Sequence, residues 1–392
     1  MRAERVIVGM SGGVDSAVAA LLLRRAGCDV QGLFMSNWHE DDVHCTAAQD
    51  YQDARAVAAE LGVVLHRVNF AAQYRQRVFD LFLEEYRAGR TPNPDVLCNR
   101  EIKFGLCLQY ALRLGAERFA TGHYARLRTL EDGPALFQAE DKNKDQSYFL
   151  HAVPRAQFTR VCFPLGDRHK EQVRELARSA GLPVHAKPDS TGICFIGERP
   201  FAEFLEQYLP VTPGPIETVE GKCLGQHRGL PYYTIGQRSG LTLGGARGYA
   251  AEPWYVCAKV AARNALIVVQ QHEQWRLQSQ RVRIEPIHWL CEPRTENFRA
   301  EVKLRYRQPA QSATVQLRAD GGAMLAFDQE QRAATPGQYA VFYEHERCLG
   351  GAVIEGSEPA SDRSGNACEA REAPARMTVH ATTSAVAAVT QL

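Results

Sequence analysis

The segment RVIVGMSGGVDS, residues 5–16, decides the fold predicted for the first part of this 392-residue chain. Its apolar run RVIVG predicts a buried strand, and the polar, glycine-rich continuation predicts a sharp turn into a helix. Gly12 and Gly13 place no side chain in front of an incoming anion, so the backbone N–H groups at the start of the helix can bind phosphate. The segment therefore predicts a phosphate-binding loop between a strand and a helix.

Strand and helix patterns alternate through the first third of the chain. Further strands are predicted at DVQGLFM, VVLHRVNF and ERFATGH. Helical periodicity is found at residues 46–61, 74–86 and 104–112. This alternation predicts a doubly wound parallel α/β sheet, which binds ligands at the carboxyl ends of its strands where the strand order reverses.

The composition and patterning of the sequence change after the first half. Segments rich in Gly and Pro predict a small central module, and short alternating stretches from about residue 280 predict a C-terminal antiparallel β-barrel or sandwich. The last residues are Ala, Ser, Thr and Glu without periodicity and predict disorder. The predicted regions are residues 1–203, 204–278, 279–356 and 357–392.

Charge and cysteine content restrict the class of protein. A formal net charge of +1 neither favours nor excludes binding to RNA. The eleven cysteines include no CxxC pair, which argues against a disulfide framework, zinc or an iron–sulfur cluster and favours a reducing compartment. No apolar stretch could span a bilayer, and the first strand begins too early for a signal peptide. We expect a cytoplasmic protein without membrane contact.

The polar residues of the loop indicate nucleotide chemistry. Ser11 and Ser16 add hydroxyl donors, and Asp15 is a candidate ligand for the Mg²⁺ that accompanies a polyphosphate. The alternative is an ordinary glycine turn with a capping Ser or Asp. The loop lacks the lysine of GxxxxGK[ST], and it resembles the SGGxDS loop of ATP pyrophosphatases, the PP-loop. That resemblance implies cleavage of ATP between the α- and β-phosphates, which gives an adenylated substrate and pyrophosphate.

The same resemblance implies a set of ATP contacts in the loop and at two neighbouring strand ends. These residues are Gly9, Met10, Ser11, Gly12, Gly13, Val14, Asp15, Ser16, Met35 and Gly122.

Two cysteines lie in polar surroundings. Cys98, in TPNPDVLCNREIKF, is predicted at the start of a helix, where the helix dipole, Arg100 and Lys103 would lower the pKa of its thiol. Cys194, in KPDSTGICFIGER, is predicted in a polar loop that could leave its thiol accessible. Either cysteine alone could be a small buried hydrophobe, as most unpaired cysteines are. The surrounding motifs favour a chemical role.

Further motifs extend along almost the whole chain. They are GMSGGVDS, TPNPDVLCNREIKF, ATGHYA, DKNKDQSYFL, KPDSTGICFIGER, YTIGQRSGL, RYRQ, PGQYAVFY and CLGG. Together they resemble the tRNA-specific 2-thiouridylase family over about residues 5–355. The resemblance implies that residues 1–203 form the ATP-binding catalytic domain and that residues 204–278 form a tRNA-binding module.

The family resemblance also implies the reaction. ATP, with Mg²⁺, adenylates O2 of the wobble uridine 34 in tRNAs for Lys, Glu and Gln. Cys194 carries a persulfide delivered by a sulfur-relay protein or a cysteine desulfurase, and its terminal sulfur attacks C2. Cys98 either attacks the inner sulfur to release hydrosulfide or resolves Cys194, and both routes leave a Cys98–Cys194 disulfide. Asp95 is implied as a general acid/base, and no iron–sulfur cluster or zinc is expected.

Residues implied to contact tRNA fall into three short segments. They are Asn93, Pro94, Asp95, Lys144, Asp145, Gln146, Arg305 and Tyr306. The first three would hold the target uracil out of its stack, as chemistry at C2 requires. The others combine cations and aromatic rings suited to RNA, although each segment alone is more often a solvated loop or strand edge.

Three other functions are compatible with parts of the sequence. An amide-forming PP-loop synthetase would need a glutaminase domain or partner. A tRNA cytidine thiolase of the iron–sulfur type is disfavoured by the missing CxxC. A non-catalytic nucleotide sensor that binds RNA would bind ATP without consuming it and would tolerate Cys→Ser substitutions.

Overall fold

Strand β1 (Arg5–Gly9) lies at the centre of a five-stranded parallel sheet. The other strands are β2 (Asp29–Ser36), β3 (Leu65–Asn69), β4 (Arg118–Ala120) and β7 (Val161–Cys162), and the order is β3-β2-β1-β4-β7. The computed structural model describes residues 2–38, 47–189, 201–241, 243, 248–358 and 371–372. The chain leaves β1 in one direction for β2 and β3 and returns to its other side with β4. The predicted doubly wound sheet is confirmed, with its switch point between β1 and β4.

Nine α-helices are found among the described residues. They are α1 (Val14–Arg25), α2 (Ala47–Leu61), α3 (Ala71–Tyr74), α4 (Asp80–Arg87), α5 (Pro94–Leu97), α6 (Leu108–Arg113), α7 (Ser147–Leu150), α8 (Lys170–Ser179) and α9 (Phe201–Glu206). A π-helical segment (Arg75–Phe79) joins α3 to α4, and a longer one (Cys98–Cys107) joins α5 to α6. Such segments are uncommon and are often found at functional sites. No helix among the described residues is long and apolar enough to cross a membrane.

Both faces of the parallel sheet are covered by apolar side chains. Val6 and Val8 pack into the core that contains α1, α2 and α8. Ile7, between them, packs into a second core together with Leu33 and Phe119. Alternate residues of a strand face opposite sides, so an uninterrupted apolar run is what a strand buried on both faces requires. Each such side chain contributes about 1.5–3 kcal/mol through burial.

The central module contains a four-stranded sheet. Its strands are β8 (Gly214–Glu217), β9 (Cys223–His227), β10 (Trp254–Val260) and β11 (Ala265–Gln270), in the order β10-β11-β8-β9. Short 3₁₀-helical segments occur at Arg155–Arg160, Leu230–Tyr232, Ala261–Arg263 and Gln271–Leu277.

A closed antiparallel barrel of six strands follows. Its strands are β12 (Gln278–Ile284), β14 (Phe298–Lys303), β15 (Gln311–Leu317), β16 (Ala323–Arg332), β17 (Tyr339–Glu344) and β18 (Arg347–Glu358), with a short β13 (His288–Trp289) paired to β18. Strand β12 pairs with both β16 and β18, which closes the barrel. The predicted C-terminal antiparallel barrel is confirmed.

A hairpin from the N-terminal region adds to the barrel sheet. It consists of β5 (Ala125–Leu130) and β6 (Gly133–Gln138), and β6 pairs with β18. At the other end, β18 runs two residues into the predicted tail and pairs with β19 (Arg371–Glu372). The rest of the predicted tail lies outside the described residues. The predicted domain boundaries stay a prediction.

Candidate functional site: a phosphate loop linked to the Cys98 helix

The glycine-rich loop lies between β1 and α1, at the carboxyl edge of the sheet. Gly13 is the residue that precedes α1, and Gly12 has a φ of +77°, a conformation that favours glycine. A Cβ at Gly12 would lie 2.3 Å from the carbonyl oxygen of Asp50, so the close approach of α2 also requires glycine. The loop is thus shaped by backbone contacts and presents the N-terminus of a twelve-residue helix.

Ser16 braces the loop from inside. Its hydroxyl donates to the carbonyl oxygen of Gly13 at 3.0 Å and accepts from the backbone N–H of Ser11 at 3.2 Å. Ser16 is 4% exposed. Its hydroxyl therefore fixes the turn, and the Ser11 hydroxyl, 3.3 Å away, continues the same network.

Gly122 and Met35 lie at the same edge of the sheet as the loop. Gly122 follows β4, and a Cβ there would lie 2.7 Å from the backbone nitrogen of Ser16. Met35 is next to the last residue of β2, and its sulfur lies 3.2 Å from the Cys107 sulfur. The structure thus brings together the three separate segments that the sequence predicted for ATP. At Gly12 and Gly122 the loop packs so closely against α2 and the end of β4 that no side chain fits between them.

Asp15, the predicted Mg²⁺ ligand, is held by two side chains. Lys170, at the start of α8, donates to both carboxylate oxygens of Asp15, at 2.7 and 2.8 Å. The Tyr124 hydroxyl donates to Asp15 Oδ1 at 2.8 Å. The Lys170 side chain is 9% exposed. A largely buried ammonium therefore stands beside the phosphate loop, although the loop sequence itself contains no lysine.

Lys170 also contacts Asp189, five residues before Cys194 in the sequence. Its Nζ lies 2.8 Å from Asp189 Oδ1, and Lys144 and Arg174 contact the same carboxylate at 2.7 and 2.6 Å. Burial alone would raise the pKa of Asp189, but hydrogen bonds from Lys144 and Lys170 outweigh it and lower the pKa to about 2. Asp189 is therefore an anionic centre with three cations around it.

A second lysine of the same segment contacts the loop directly. Lys187 donates to the carbonyl oxygen of Gly12 at 3.1 Å and forms ion pairs with Asp50 and Asp53, at 2.7 and 2.5 Å. The two ends of the segment Lys187–Asp189 are therefore tied to the phosphate loop, one through Lys187 and one through Lys170. Cys194 itself lies outside the described residues.

The helix that contains Cys98 begins one turn earlier than the sequence predicted. Asn93 caps it, since its side-chain oxygen accepts from the backbone N–H of Asp95 at 3.2 Å, and Pro94 is its first residue. Placing Cys98 at the helix start was therefore wrong. The favourable dipole effect is confined to the first turn, which contains Asp95. Cys98 is 3% exposed and begins the ten-residue π-helical segment.

Asp95 combines accessibility with a shifted pKa. Its side chain is exposed, yet desolvation by the surrounding protein raises the pKa of the carboxyl, and the charge of Lys103 opposes this. Burial lowers the pKa of His123, and the positive charge of Lys103 lowers this pKa further. Lys103 is therefore within electrostatic range of both the Asp95 segment and the strand end that contains Gly122. A carboxyl with a raised pKa is suited to general acid/base chemistry.

Asp145, one of the predicted tRNA contacts, has an internal role. It is 3% exposed, and its Oδ1 accepts from the backbone N–H groups of Ala139 and Ser147 at 3.0 and 3.2 Å. Its Oδ2 accepts from the Ser147 hydroxyl at 2.9 Å and lies 3.6 Å from Lys303 Nζ. The carboxylate thus fixes a turn in the described structure. A contact between Asp145 and tRNA stays a prediction.

The neighbours of Asp145 differ in exposure. Lys144 is 39% exposed in its side chain and pairs with Asp189. Gln146 exchanges hydrogen bonds with the backbone of Tyr124, at 2.8 Å through its own N–H and at 3.0 Å through its side-chain oxygen. Tyr124 is also the donor to Asp15. The predicted tRNA segment is therefore connected to the phosphate loop through Tyr124, in addition to the contact of Lys144 with Asp189.

The two predicted RNA-binding motifs, far apart in sequence, meet in the structure. The rings of Tyr306 and Phe149 lie 4.4 Å apart between centroids. Arg305 donates to the backbone oxygen of Ala333 at 2.7 Å, and burial lowers the pKa of its guanidinium. Asn99, next to Cys98, donates to the carbonyl oxygen of Phe149 at 3.2 Å. The barrel motif therefore packs against the segment that adjoins the Cys98 helix.

The sequence reasoning missed four residues of this site, namely Tyr124, Lys170, Lys187 and Asp189. A signal was available for three of them, since they stand in the quoted motifs ATGHYA and KPDSTGICFIGER. Lys170 has no motif around it and is identified only by its position in the fold.

The fold and the loop define the class of protein: an α/β nucleotide-binding protein of the PP-loop type, followed by two β modules. Family models match each part in turn, as a tRNA methyl transferase HUP domain at residues 4–198, a tRNA methyl transferase PRC-barrel domain at 202–270 and an aminomethyltransferase β-barrel domain at 279–354.

Curated relatives identify the family. The chain is 54% identical to the tRNA-specific 2-thiouridylase MnmA of Marinobacter nauticus, over 90% of this chain and 91% of that protein. It is also 54% identical to the protein of the same name from Pseudomonas entomophila, over 92% of this chain and 96% of that protein. The chain belongs to the tRNA-specific 2-thiouridylase family. A solved U34-tRNA thiolase, NcsA from Methanococcus maripaludis, matches 49% of this chain and 62% of its own at 17% identity with a TM-score of 0.34, which is too low to inform the function.

Proposed function

We propose that this protein is an ATP-dependent tRNA-uridine 2-sulfurtransferase that converts the wobble uridine 34 of tRNAs for Lys, Glu and Gln to 2-thiouridine. Family membership supports the reaction. The observation that carries the mechanism is the position of Lys170, which bridges Asp15 of the phosphate loop and Asp189 of the segment that leads to Cys194. Lys170 would thus hold the segment that activates the uridine next to the segment that leads to the sulfur-carrying cysteine.

The loop residues would bind ATP for the first half of the reaction. The close packing at Gly12 and Gly122 holds the loop in place, and the N-terminus of α1 would provide backbone donors for the phosphates. Asp15 is the group that would hold Mg²⁺, and Lys170 and Lys187 would balance the charge of the departing pyrophosphate. ATP supplies the adenylyl group: O2 of the uridine attacks the α-phosphorus and pyrophosphate leaves.

The two cysteines would perform the second half. The terminal sulfur of a Cys194 persulfide attacks C2, AMP leaves with the former O2, and the Cys98 thiolate attacks the inner sulfur so that the S–S bond of the persulfide breaks. The products are 2-thiouridine and a Cys98–Cys194 disulfide, whose reduction needs two electrons from an external thiol. Asp95, with its raised pKa, would move the proton at the base.

The tRNA would lie across the face that contains the Asn93–Asp95 segment, Lys144 and the Arg305–Tyr306 segment. Tyr306 and Phe149 provide aromatic rings, and Lys144 provides an exposed cation. The persulfide would come from a sulfur-relay protein or a cysteine desulfurase, and the reaction would take place in the cytoplasm.

The test is incubation of the protein with unmodified tRNA, Mg-ATP and a persulfide donor. We expect 2-thiouridine by mass spectrometry, together with pyrophosphate release. Cys98→Ser and Cys194→Ser should abolish the thionucleoside and leave pyrophosphate release intact. The matched control is Cys223→Ser, which changes an exposed thiol on β9. Binding of tRNA by the wild-type protein without formation of 2-thiouridine would refute the proposal, as would full activity of both serine variants.

A further inference from the structure

The segment that leads to Asp95 is anchored at its start within the N-terminal region. Arg90 forms a two-pronged ion pair with Glu85, at 2.6 and 2.7 Å, and the two residues are 6% and 8% exposed. Its end is anchored by the Asn93 cap of α5. Between these two points, the backbone of Thr91 and Pro92 makes its hydrogen bonds with another region of the chain.

The partner is the barrel loop between β16 and β17. The backbone N–H of Thr91 donates to the carbonyl oxygen of Pro336 at 2.9 Å. The Gln338 side-chain amide donates in return to the carbonyl oxygens of Thr91 and Pro92, at 2.7 and 3.3 Å. One backbone hydrogen bond and two side-chain hydrogen bonds therefore join the barrel to the N-terminal region at this point.

Gly337 makes this approach possible. Its φ is +91°, and a Cβ there would lie 2.9 Å from the Thr91 nitrogen and 3.0 Å from Arg90 Cβ. Residues Thr335 to Gly337 are buried, and Gln338 is half-buried. The contact is therefore a close backbone fit, and the Gln338 amide reaches it from a half-buried position.

The same loop is bonded to a residue predicted to contact tRNA. Arg305 donates to the Ala333 carbonyl oxygen at 2.7 Å, and its guanidinium lies 3.4 Å from the Thr335 hydroxyl. The backbone of Gly337 donates to the Ile354 carbonyl oxygen at 3.0 Å, which ties the loop to β18. A continuous set of hydrogen bonds thus runs from Arg305 through the loop to the backbone just before Asn93.

From this geometry we infer that Gln338 is a positioning residue for the reaction: it fixes the Thr91–Asp95 segment to the barrel, so that tRNA bound on the barrel meets Asp95 and Cys98 in one fixed orientation. The inference rests on the proposed function for its substrate. The hydrogen bonds of Gln338 would affect the orientation of the reacting groups. Their loss should therefore lower kcat rather than the affinity for tRNA.

The variants are Gln338→Ala, which removes the amide, and Gln338→Glu, which keeps the shape and loses both donor hydrogens. The matched control is Gln316→Ala, at an exposed position of β15 in the same barrel. Two measurements are made on the full chain: hydrogen exchange of a peptide that spans residues 90–98, and steady-state thiolation with the Kd for tRNA.

We expect both Gln338 variants to exchange the amides of residues 91–98 about tenfold faster than the wild type, the factor that loss of one hydrogen bond gives. Their kcat for thiolation should fall at least about tenfold, while the Kd for tRNA changes by less than about threefold. Gln316→Ala should match the wild type in both measurements. A merely structural role would instead lower the melting temperature and leave kcat per folded molecule unchanged.

Unchanged exchange in both Gln338 variants would overturn the inference, as would a fall in tRNA affinity that accounts for the whole loss of activity. The exchange measurement does not depend on catalysis. If the wild-type protein forms no 2-thiouridine, the proposed function fails, and exchange still decides whether Gln338 fixes the segment.

Discussion

Lys170 Nζ lies 2.7 Å from Asp15 Oδ1 and 2.8 Å from Asp189 Oδ1, so one ammonium joins the phosphate loop to a segment more than 170 residues away in the chain. Three anionic oxygens in all surround it, since Asp15 Oδ2 is also within 2.8 Å. Its side chain is 9% exposed, which places these interactions in a poorly solvated environment.

Replacement of Lys170 tests this link. Lys170→Ala removes hydrogen bonds to charged groups, each of which contributes about 1.5–3 kcal/mol, and leaves Asp15 and Asp189 to repel each other. We expect kcat/KM for ATP, measured by tRNA-dependent pyrophosphate release, to fall about 10- to 100-fold. Lys170→Arg should retain part of the activity because it keeps the charge.

Arg25→Ala serves as the control, because Arg25 is an exposed cation in the last turn of α1, at the opposite edge of the sheet. It should leave pyrophosphate release unchanged. A Lys170→Ala protein with a lowered melting temperature and normal ATP kinetics would show that Lys170 is only structural.

Gly122→Ala tests the close packing of the end of β4 against the phosphate loop. The new methyl group would lie 2.7 Å from the Ser16 nitrogen and 2.8 Å from the Asp15 carbonyl carbon, so the loop has to shift. Displacement of about 1 Å in a catalytic site costs ~100-fold in rate, and we expect a loss of that size in pyrophosphate release. Gly221→Ala is the comparison: with a φ of +83° and open space around it, it should cost about 1–2 kcal/mol of stability without affecting ATP use. Equal activity of the two variants would show that this packing does not position the loop for ATP.

The raised pKa of Asp95 predicts opposite effects on stability and activity. Desolvation makes the ionised form unfavourable in the folded state, so this group stabilises folding most below the ordinary aspartate pKa of 3.8 and loses that contribution as pH rises through the raised pKa. Asp95→Asn mimics the protonated form. We expect its melting temperature to exceed that of the wild type at pH 7, with the difference shrinking toward pH 4, and its kcat to fall ~100- to 10,000-fold. A variant that is less stable at pH 7 would contradict the desolvation argument.

Lys144 should contribute to tRNA affinity through charge. Lys144→Ala is expected to weaken binding uniformly across tRNA sequences and to reduce the slope of log K against log salt concentration by about 1. Asp189→Asn gives the opposite test, since it removes the carboxylate that now pairs with Lys144 and leaves the ammonium available to phosphate. Filter binding over a salt series measures both. Weaker binding by both variants would indicate that the Lys144–Asp189 pair acts only by holding the fold.

Local patterns predicted much of the fold. The strand β1, the loop and α1 follow from an apolar run, two glycines and a helical face that are neighbours in the chain. The alternation of strands and helices and the short alternating strands of the barrel were predicted for the same reason. The predicted start of the Cys98 helix was too late in the sequence, because Asn93 as a cap and Pro94 as a first residue already mark an earlier start.

The sequence by itself determined which residues are neighbours along the chain and which chemistry they carry: a phosphate loop without a lysine, two cysteines in polar motifs and an Asn-Pro-Asp segment. Only the tertiary structure decided which distant groups complete them. Lys170 at Asp15, Tyr306 on Phe149 and Gln338 on Thr91 are pairs without any common period or spacing in the sequence. Their positions follow from how the sheet, its helices and the barrel pack, because packing, unlike local propensity, joins residues whatever their separation along the chain.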